Sequence, residues 1–191
     1  MGTASNVIVG VATLYIAPAN TAATGLSPTV GTAAFATVAS PWVLSGFTED
    51  GVTLNVDNNN NLIRVEEQPT PVLAVKDTTS VTVDVSFAED TIANMVNAYG
   101  GGTVTTVAAG AQAPGYTTLA LSDYLTEVAL QFFGANPAGF VRQVYIPAAF
   151  SNGKVKTSYR RAKANRSYPT AFEAVCDMPS IVVTDLTAVV T

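Results

Sequence analysis

The sequence contains no histidine and only one cysteine, Cys176. Histidine is the most frequent general base, the usual partner of a serine or cysteine nucleophile, and the commonest metal ligand. A lone cysteine without histidine cannot supply the ligand set of a structural zinc site, and it provides no disulfide framework. We therefore expect no catalytic residues and no metal site, and we interpret Cys176 as a small packed side chain.

Charged residues are also scarce, because they make up 12% of the 191 residues, whereas hydrophobic residues make up 48%. Soluble domains usually contain about 25% charged residues, so this chain has little charge with which to cover the surface of a monomer. No apolar run approaches the roughly 18 uninterrupted residues of a membrane-spanning helix. The composition therefore predicts that surface is buried against other protein molecules and not against a membrane.

Cofactor motifs are absent or incomplete. There is no GxxxxGK[ST] loop, and the three glycines at 100–102 follow a predicted helix, whereas a phosphate-binding loop precedes one. Residues 57–61 match the first three ligand positions of an EF-hand loop, but Leu62 and Gln68 occupy the positions that need glycine and glutamate. We expect no cofactor, and we interpret 57–61 as an Asn-rich hairpin turn.

Adjacent carboxylates are the remaining candidates for acid/base chemistry. Successive side chains on a strand point to opposite faces, so Glu66 and Glu67 would not converge on one bond. Glu89 and Asp90 are expected at the start of a helix, where acidic side chains complement the helix dipole. We therefore predict that the protein is not an enzyme.

Hydrophobic periodicity predicts a mainly β protein with one helix. Apolar and polar residues alternate from Val81 to Phe87, which is typical of a strand with one buried face. Residues 92, 95, 96 and 99 follow helical spacing, so a helix is predicted over about 90–99. Further strands are predicted over 7–16, 42–47, 52–56, 62–67, 126–133, 140–146, 154–160 and 170–176. The pattern indicates an antiparallel β-sandwich or barrel-forming subunit with a flanking helix.

Three segments lack a clear pattern. Residues 18–41 form a long uncharged loop, 103–115 a second loop, and 178–191 a C-terminal extension of a single domain over 1–177. Long structureless loops are usually functional, so 18–41 is expected either to reach a neighbouring subunit or to be a flexible surface loop. The apolar N-terminal run lacks the basic start of a signal peptide, which favours a strand and a cytoplasmic location.

Charge is unevenly distributed along the chain. Residues 1–153 contain eleven acidic and three basic residues, whereas 154–166 contain six basic residues and no acidic one. A nucleic-acid site is disfavoured, because only Tyr159 could stack on a base and the rest of the chain repels phosphate. We favour a contact with an acidic patch on the next subunit, and solvated loop charge is the alternative. The basic residues are Lys154, Lys156, Arg160, Arg161, Lys163 and Arg166.

Four segments resemble the major tail tube proteins of long-tailed, siphophage-type bacteriophages. They are WVLSGFTEDGV at 42–52, TTSVTVDVSFAEDTIANMVNAYGG at 78–101, RQVYIP at 142–147 and SYPTAFEAVCD at 167–177. In that family a V-x-V-x-F strand leads through an acidic residue into a short helix that ends near Tyr-Gly. The resemblance covers roughly residues 40–178.

The resemblance implies a structural virion protein, a β-sandwich with a flanking helix that forms stacked, six-membered rings. The expected partners are other copies of the chain, the tape measure protein and other tail proteins, with assembly in the host cytoplasm. Double-stranded DNA would pass through the tube without specific binding, and an acidic lining suits this because basic contacts add affinity for phosphate.

The candidates for lumen-facing groups are Glu66, Asp84 and Glu127, each placed in a predicted strand with an apolar opposite face. An ordinary exposed face is the alternative for each of them. A different class of function also stays open, namely a capsid decoration protein or a receptor- or glycan-binding β-sandwich. Such a module is expected to expose aromatic side chains on its loops.

Overall fold

The computed structural model describes residues 12–24, 38–64, 66–68, 70–135, 141–153, 155, 167–177 and 180–185. Within these residues the protein is mainly β, with antiparallel strands and one α-helix, which confirms the predicted fold class. The strands are β1 (Thr13–Pro18), β2 (Val43–Leu44), β3 (Thr48–Ile63), β4 (Leu73–Phe87), β5 (Gly102–Val107), β6 (Tyr116–Leu121), β7 (Val128–Ala135), β8 (Val141–Ser151), β9 (Tyr168–Ala174) and β10 (Val182–Asp185), and the helix α1 spans Ile92–Ala98.

Eight strands form one sheet in the order β2-β1-β7-β8-β9-β4-β3, and β10 also pairs with β8. Residues from both halves of this sheet share one hydrophobic core: Leu14, Leu130 and Ile146 lie in one half, Val83 and Phe172 in the other. The two halves therefore pack face to face, as the layers of a sandwich do.

The alternating segment of β4 supplies much of this core. Val81, Val83, Val85 and Phe87 are buried, whereas Asp84 between them is exposed, as the period-two pattern predicts. Each fully buried side chain of this kind contributes about 1.5–3 kcal/mol relative to an exposed one. The β4 strand therefore fixes which face of its layer points inward.

The helix α1 forms where the spacing predicts it, but the acidic residues before it have other roles. Thr91 caps the helix by accepting a hydrogen bond from the Asn94 backbone N–H at 3.2 Å. The Glu89 carboxylate instead accepts from the Phe47 backbone N–H at 3.0 Å, and Asp90 accepts from the Tyr168 hydroxyl. Neither acid lies in the first turn of α1, and each ties the loop before the helix to another element.

The prediction of a turn at 57–61 was also wrong. Strand β3 continues through these residues, and the hairpin closes farther on, where the Val72 backbone N–H donates to Ile63 O at 2.9 Å. Asparagine tolerates a turn, but here its side chain stabilises the paired strands, since Asn58 accepts from the Thr79 hydroxyl at 3.0 Å. The result is a hairpin whose far half extends beyond the core.

Two segments that seemed unpatterned contain strands. Residues 103–115 were predicted to be a loop, yet β5 covers 102–107 and pairs with β6 in a separate two-stranded sheet. Within the predicted C-terminal extension, β10 pairs with β8 and joins the main sheet. The predicted strand at 154–160 and the start of the one at 7–16 lie outside the described residues, apart from Val155.

An exposed ion pair links β10 to β8. The Arg142 guanidinium donates to both carboxylate oxygens of Asp185, at 2.6 and 2.7 Å. The hydrogen bond from Arg142 lowers the pKa of Asp185 from its ordinary value, and the same bond raises the pKa of Arg142. Because the pair is exposed, it positions β10 more than it stabilises the fold.

Candidate assembly surfaces

The far half of the β3–β4 hairpin exposes apolar side chains at its end. We call Leu62, Ile63, Val72 and Leu73 the hairpin tip, and each of them is exposed in the single chain. Residues 56–64 and 71–78 are likewise exposed, so no described part of the chain covers this region. An exposed apolar cluster of this kind is typical of a surface that another molecule covers.

The two-stranded β5–β6 sheet is a second exposed apolar feature, which we call the ribbon. Residues 102–121 contain no charged side chain. Val107 and Tyr116 are register partners and both are exposed, and Leu121 is 67% exposed. Directly after the ribbon, Tyr124 is 84% exposed. Sequence reasoning missed the ribbon, although its alternating threonines and valines are typical of strands.

An apolar groove of about 650 Å³ lies between α1, the β1–β2 pair and β5. Its lining includes Val43, Val96 and Val104, together with the acidic residues Glu89 and Glu127. Val43 belongs to the short edge strand β2, whose outer side pairs with no strand in the described part of the chain. The groove therefore adjoins both an open sheet edge and the ribbon.

The outer face of β1, β7 and β8 is covered by the chain itself. Residues 19–24, which we call the strap, cross this face, and Trp42 packs there with its Nε1 donating to Ala22 O at 3.0 Å. The Tyr145 hydroxyl donates to Thr21 O at 2.8 Å. Burial raises the pKa of Tyr145 above its ordinary value. This face is therefore closed to other molecules where the strap lies.

Two buried glutamines fix the end of the strap. The Gln131 side chain is fully buried, accepts from the Thr24 backbone N–H at 3.0 Å, and donates to Thr24 O. Gln143 also donates to Thr24 O, at 3.0 Å. Gln131 lies in the strand predicted over 126–133, and nothing in the sequence pattern showed that a loop covers its face.

By contrast, no described segment covers the outer face of β9, β4 and β3, and this face carries acidic side chains. Asp84 accepts from the Asn55 side chain at 2.7 Å, and Glu173 accepts from Asn152 nearby. A shallow groove of about 380 Å³ runs here and includes Asp50 and Asp84, and no basic residue is among the described residues that line it. Among the described residues, this face therefore presents negative charge with no basic side chain lining its groove.

The structure separates the three residues predicted to face a lumen. Asp84 lies on the outer face of β4, as expected from the alternation. Glu66 instead lies in the turn of the β3–β4 hairpin, and Glu127 lies in the loop before β7, at the apolar groove. The prediction that Glu66 and Glu127 lie in strands was therefore wrong, and the three residues do not share a face. The six basic residues of 154–166 lie outside the described residues.

The described residues contain no cluster of three or more His, Cys, Asp or Glu side chains that could hold a metal ion. None of their helices is long and apolar enough to cross a membrane. The chain matches no protein-family model, and no curated protein is significantly similar to it in sequence.

Proposed function

We propose that the protein is a non-catalytic structural subunit that assembles with copies of itself. The assembly would form the tube of a long phage tail. The observation that carries self-assembly is the uncovered apolar surface of the hairpin tip and the ribbon. Tail-tube identity is supported by the resemblance of residues 42–52, 78–101, 142–147 and 167–177 to that family. In this proposal the copies form stacked rings of six around double-stranded DNA.

Ring formation would resolve two energetic problems of the isolated chain. Burying apolar surface is favourable by about 25 cal/mol per Å², so covering the hairpin tip and the ribbon favours association. The outer edge of β3 is also unpaired over 16 residues in the described part of the chain. A closed ring pairs such edges, whereas an isolated subunit leaves them open to aggregation.

The electrostatics support one orientation of the subunit in the tube. The outer face of β1, β7 and β8 carries the strap, whereas the outer face of β9, β4 and β3 is acidic and uncovered in the described part of the chain. We therefore assign the β9–β4–β3 face, with Asp84 on it, to the DNA side. Carboxylates repel phosphate, so the genome slides without the salt-dependent attachment that lysine and arginine contacts create.

Electron microscopy of concentrated purified protein tests the assembly. Tubes of stacked rings are the expected result. Stable monomers at all concentrations would refute the proposal.

Asp84→Lys tests the DNA-facing assignment, with Asp84→Asn as its control. Both variants lose the carboxylate, but only lysine adds a phosphate-binding charge. We expect rings that still stack in both, and slow DNA delivery only from particles that contain Asp84→Lys. Normal infectivity of Asp84→Lys particles would place this face elsewhere in the tube.

The part of the predicted loop 18–41 beyond the strap stays a predicted contact with a neighbouring subunit, and we place that contact between rings. Because Gln131 and Gln143 hold Thr24, a deletion that tests this contact should spare the strap. Deleting 26–36 is expected to give a soluble protein that unfolds like the wild type but no longer polymerises. Normal tubes from this variant would show that the loop is not needed between rings.

A second candidate function has specific support in the exposed aromatic residues. Phe47 is 78% exposed and Tyr124 is 84% exposed, and both lie in loops, as in many carbohydrate- and receptor-binding modules. A capsid decoration protein or glycan-binding sandwich would use such residues directly. Stable monomers that bind a glycan array, and lose that binding on Tyr124→Ala, would favour this function over the tube.

A further inference from the structure

The ribbon lacks a neighbour that its stability requires. It stands apart from the eight-stranded sheet, and within the described ranges neither of its outer edges pairs with another strand. All of its strand residues except Gly102 and Leu119 are exposed. Isolated two-stranded hairpins are at best marginally stable in water, and a third strand or a covering surface stabilises them.

The ribbon edges also lack the protection that open strand edges usually carry. Charged residues, prolines and β-bulges commonly prevent a second strand from pairing with an edge. Residues 102–121 have no charge, and their one proline, Pro114, lies in the turn and not in a strand. The ribbon is therefore open to strand addition.

We propose that a second copy of this chain completes the ribbon, with β6 of one copy pairing edge to edge with β5 of the other. The proposal rests on the self-assembly proposed above and assigns one of its contacts. The charge distribution fits a second copy as the partner. Two copies that each carry a net charge of −5 repel each other, so their contact costs least free energy where neither surface is charged. The ribbon meets that condition over 20 residues and presents a strand on each side.

The pairing also covers apolar side chains. Val107 and Tyr116 lie opposite each other on one face of the ribbon, with Thr103 and Thr118 on the same face. In a four-stranded sheet the corresponding side chains of the second copy lie beside them, and such neighbours stabilise a sheet. Strand addition thus supplies backbone hydrogen bonds and side-chain contacts together.

Two single substitutions test the pairing, one at each edge. Thr103→Lys places a charge on β5 and Thr118→Lys places one on β6, and both positions are exposed in the single chain. Gln112→Lys adds the same charge in the ribbon turn and serves as the matched control. Sedimentation velocity over a concentration series gives the association constant of the smallest oligomer, and circular dichroism checks folding.

We expect both edge variants to weaken association by about tenfold or more, and the turn variant to associate like the wild type. Hydrogen exchange of the backbone amides in 103–106 and 117–120 should be slow in the wild-type oligomer and fast in the edge variants. A monomeric wild type, or an edge variant that associates as tightly as the wild type, would overturn the pairing.

Electron microscopy of the same samples separates this inference from the proposed function. If the wild type and both edge variants form equally stable tubes, the ribbon pairing is wrong and the tube proposal stands. If the wild type forms a small oligomer that both edge variants weaken, but no tubes at any concentration, the pairing stands and the tube proposal fails.

Discussion

Replacing Gln131 with methionine isolates the hydrogen bonds that hold the strap. Methionine has nearly the same volume, so the change removes the amide without opening a large cavity. The Thr24 backbone N–H then loses its acceptor, which lies at 3.0 Å in the wild type. Thr24 O keeps a donor, because Gln143 also reaches it at 3.0 Å. The variant therefore leaves one backbone group unpaired and the other partnered.

The expected magnitude follows from these contacts. A hydrogen bond contributes about 0.5–1.5 kcal/mol net, and a buried group left unpaired costs about 1–3 kcal/mol. We expect Gln131→Met to lower the free energy of unfolding by about 2–3 kcal/mol, and Gln143→Met to lower it by about 1 kcal/mol. The double variant removes both donors to Thr24 O, so its loss should exceed the sum of the single losses.

Urea denaturation of the monomer, followed by tryptophan fluorescence, measures these losses. Trp42 is the single tryptophan and packs beside the strap, so its emission reports this region directly. Gln112→Met, at an exposed position in the ribbon turn, is the control and should stay within about 0.5 kcal/mol of the wild type. A Gln131→Met variant as stable as that control, or an additive double variant, would refute the reasoning.

Three further predictions concern other parts of the fold. Asp185→Asn removes the ion pair with Arg142 and should cost at most about 1 kcal/mol near neutral pH. Because the pair lowers the pKa of Asp185, that cost should vanish as pH falls through the folded-state pKa, and a pH-independent cost would contradict this. Burial raises the pKa of Tyr145, so its contribution is complete below the ordinary tyrosine pKa of about 10 and is lost as pH rises through the folded-state value. Tyr145→Phe should therefore reduce the alkaline loss of stability, and an unchanged alkaline titration would exclude this cause. Phe172→Ala removes a fully buried ring that packs against Phe87 and should cost about 3–5 kcal/mol, whereas a calorimetric loss below about 1 kcal/mol would mean that the core repacks.

The sequence predicted those elements whose local pattern agrees with their packing. The alternation in 81–87 matches β4 because one face of that strand meets the core and the other meets solvent. The helix α1 was predicted because its apolar spacing and its following glycines agree, and Gly100 has a φ of 79°. Local chemistry and tertiary contacts give the same answer at these positions.

The errors occur where distant residues decide the structure. Asparagines at 57–61 favour a turn locally, but pairing with β4 across the hairpin holds them in a strand. Gln131 looks solvent-facing in the sequence, and only the strap, more than 100 residues earlier in the chain, makes it buried. Glu127 was predicted to lie in a strand, because no local signal shows that β7 begins only at the next residue, Val128. Long-range contacts of this kind leave no periodic trace in a single sequence.

Along one edge, strand β8 pairs first with β10 and then with β9. This order affects when the edge can close as the chain is synthesised. The first half of β8 pairs with β10, whose Asp185 lies 43 residues after Arg142 in the chain. At a synthesis rate of about 5–20 residues per second, that half of β8 keeps an open edge for roughly 2–9 s after it has been made. The sheet is therefore completed only after β10 has been made, although the opposite edge of β8 can pair with β7 before then.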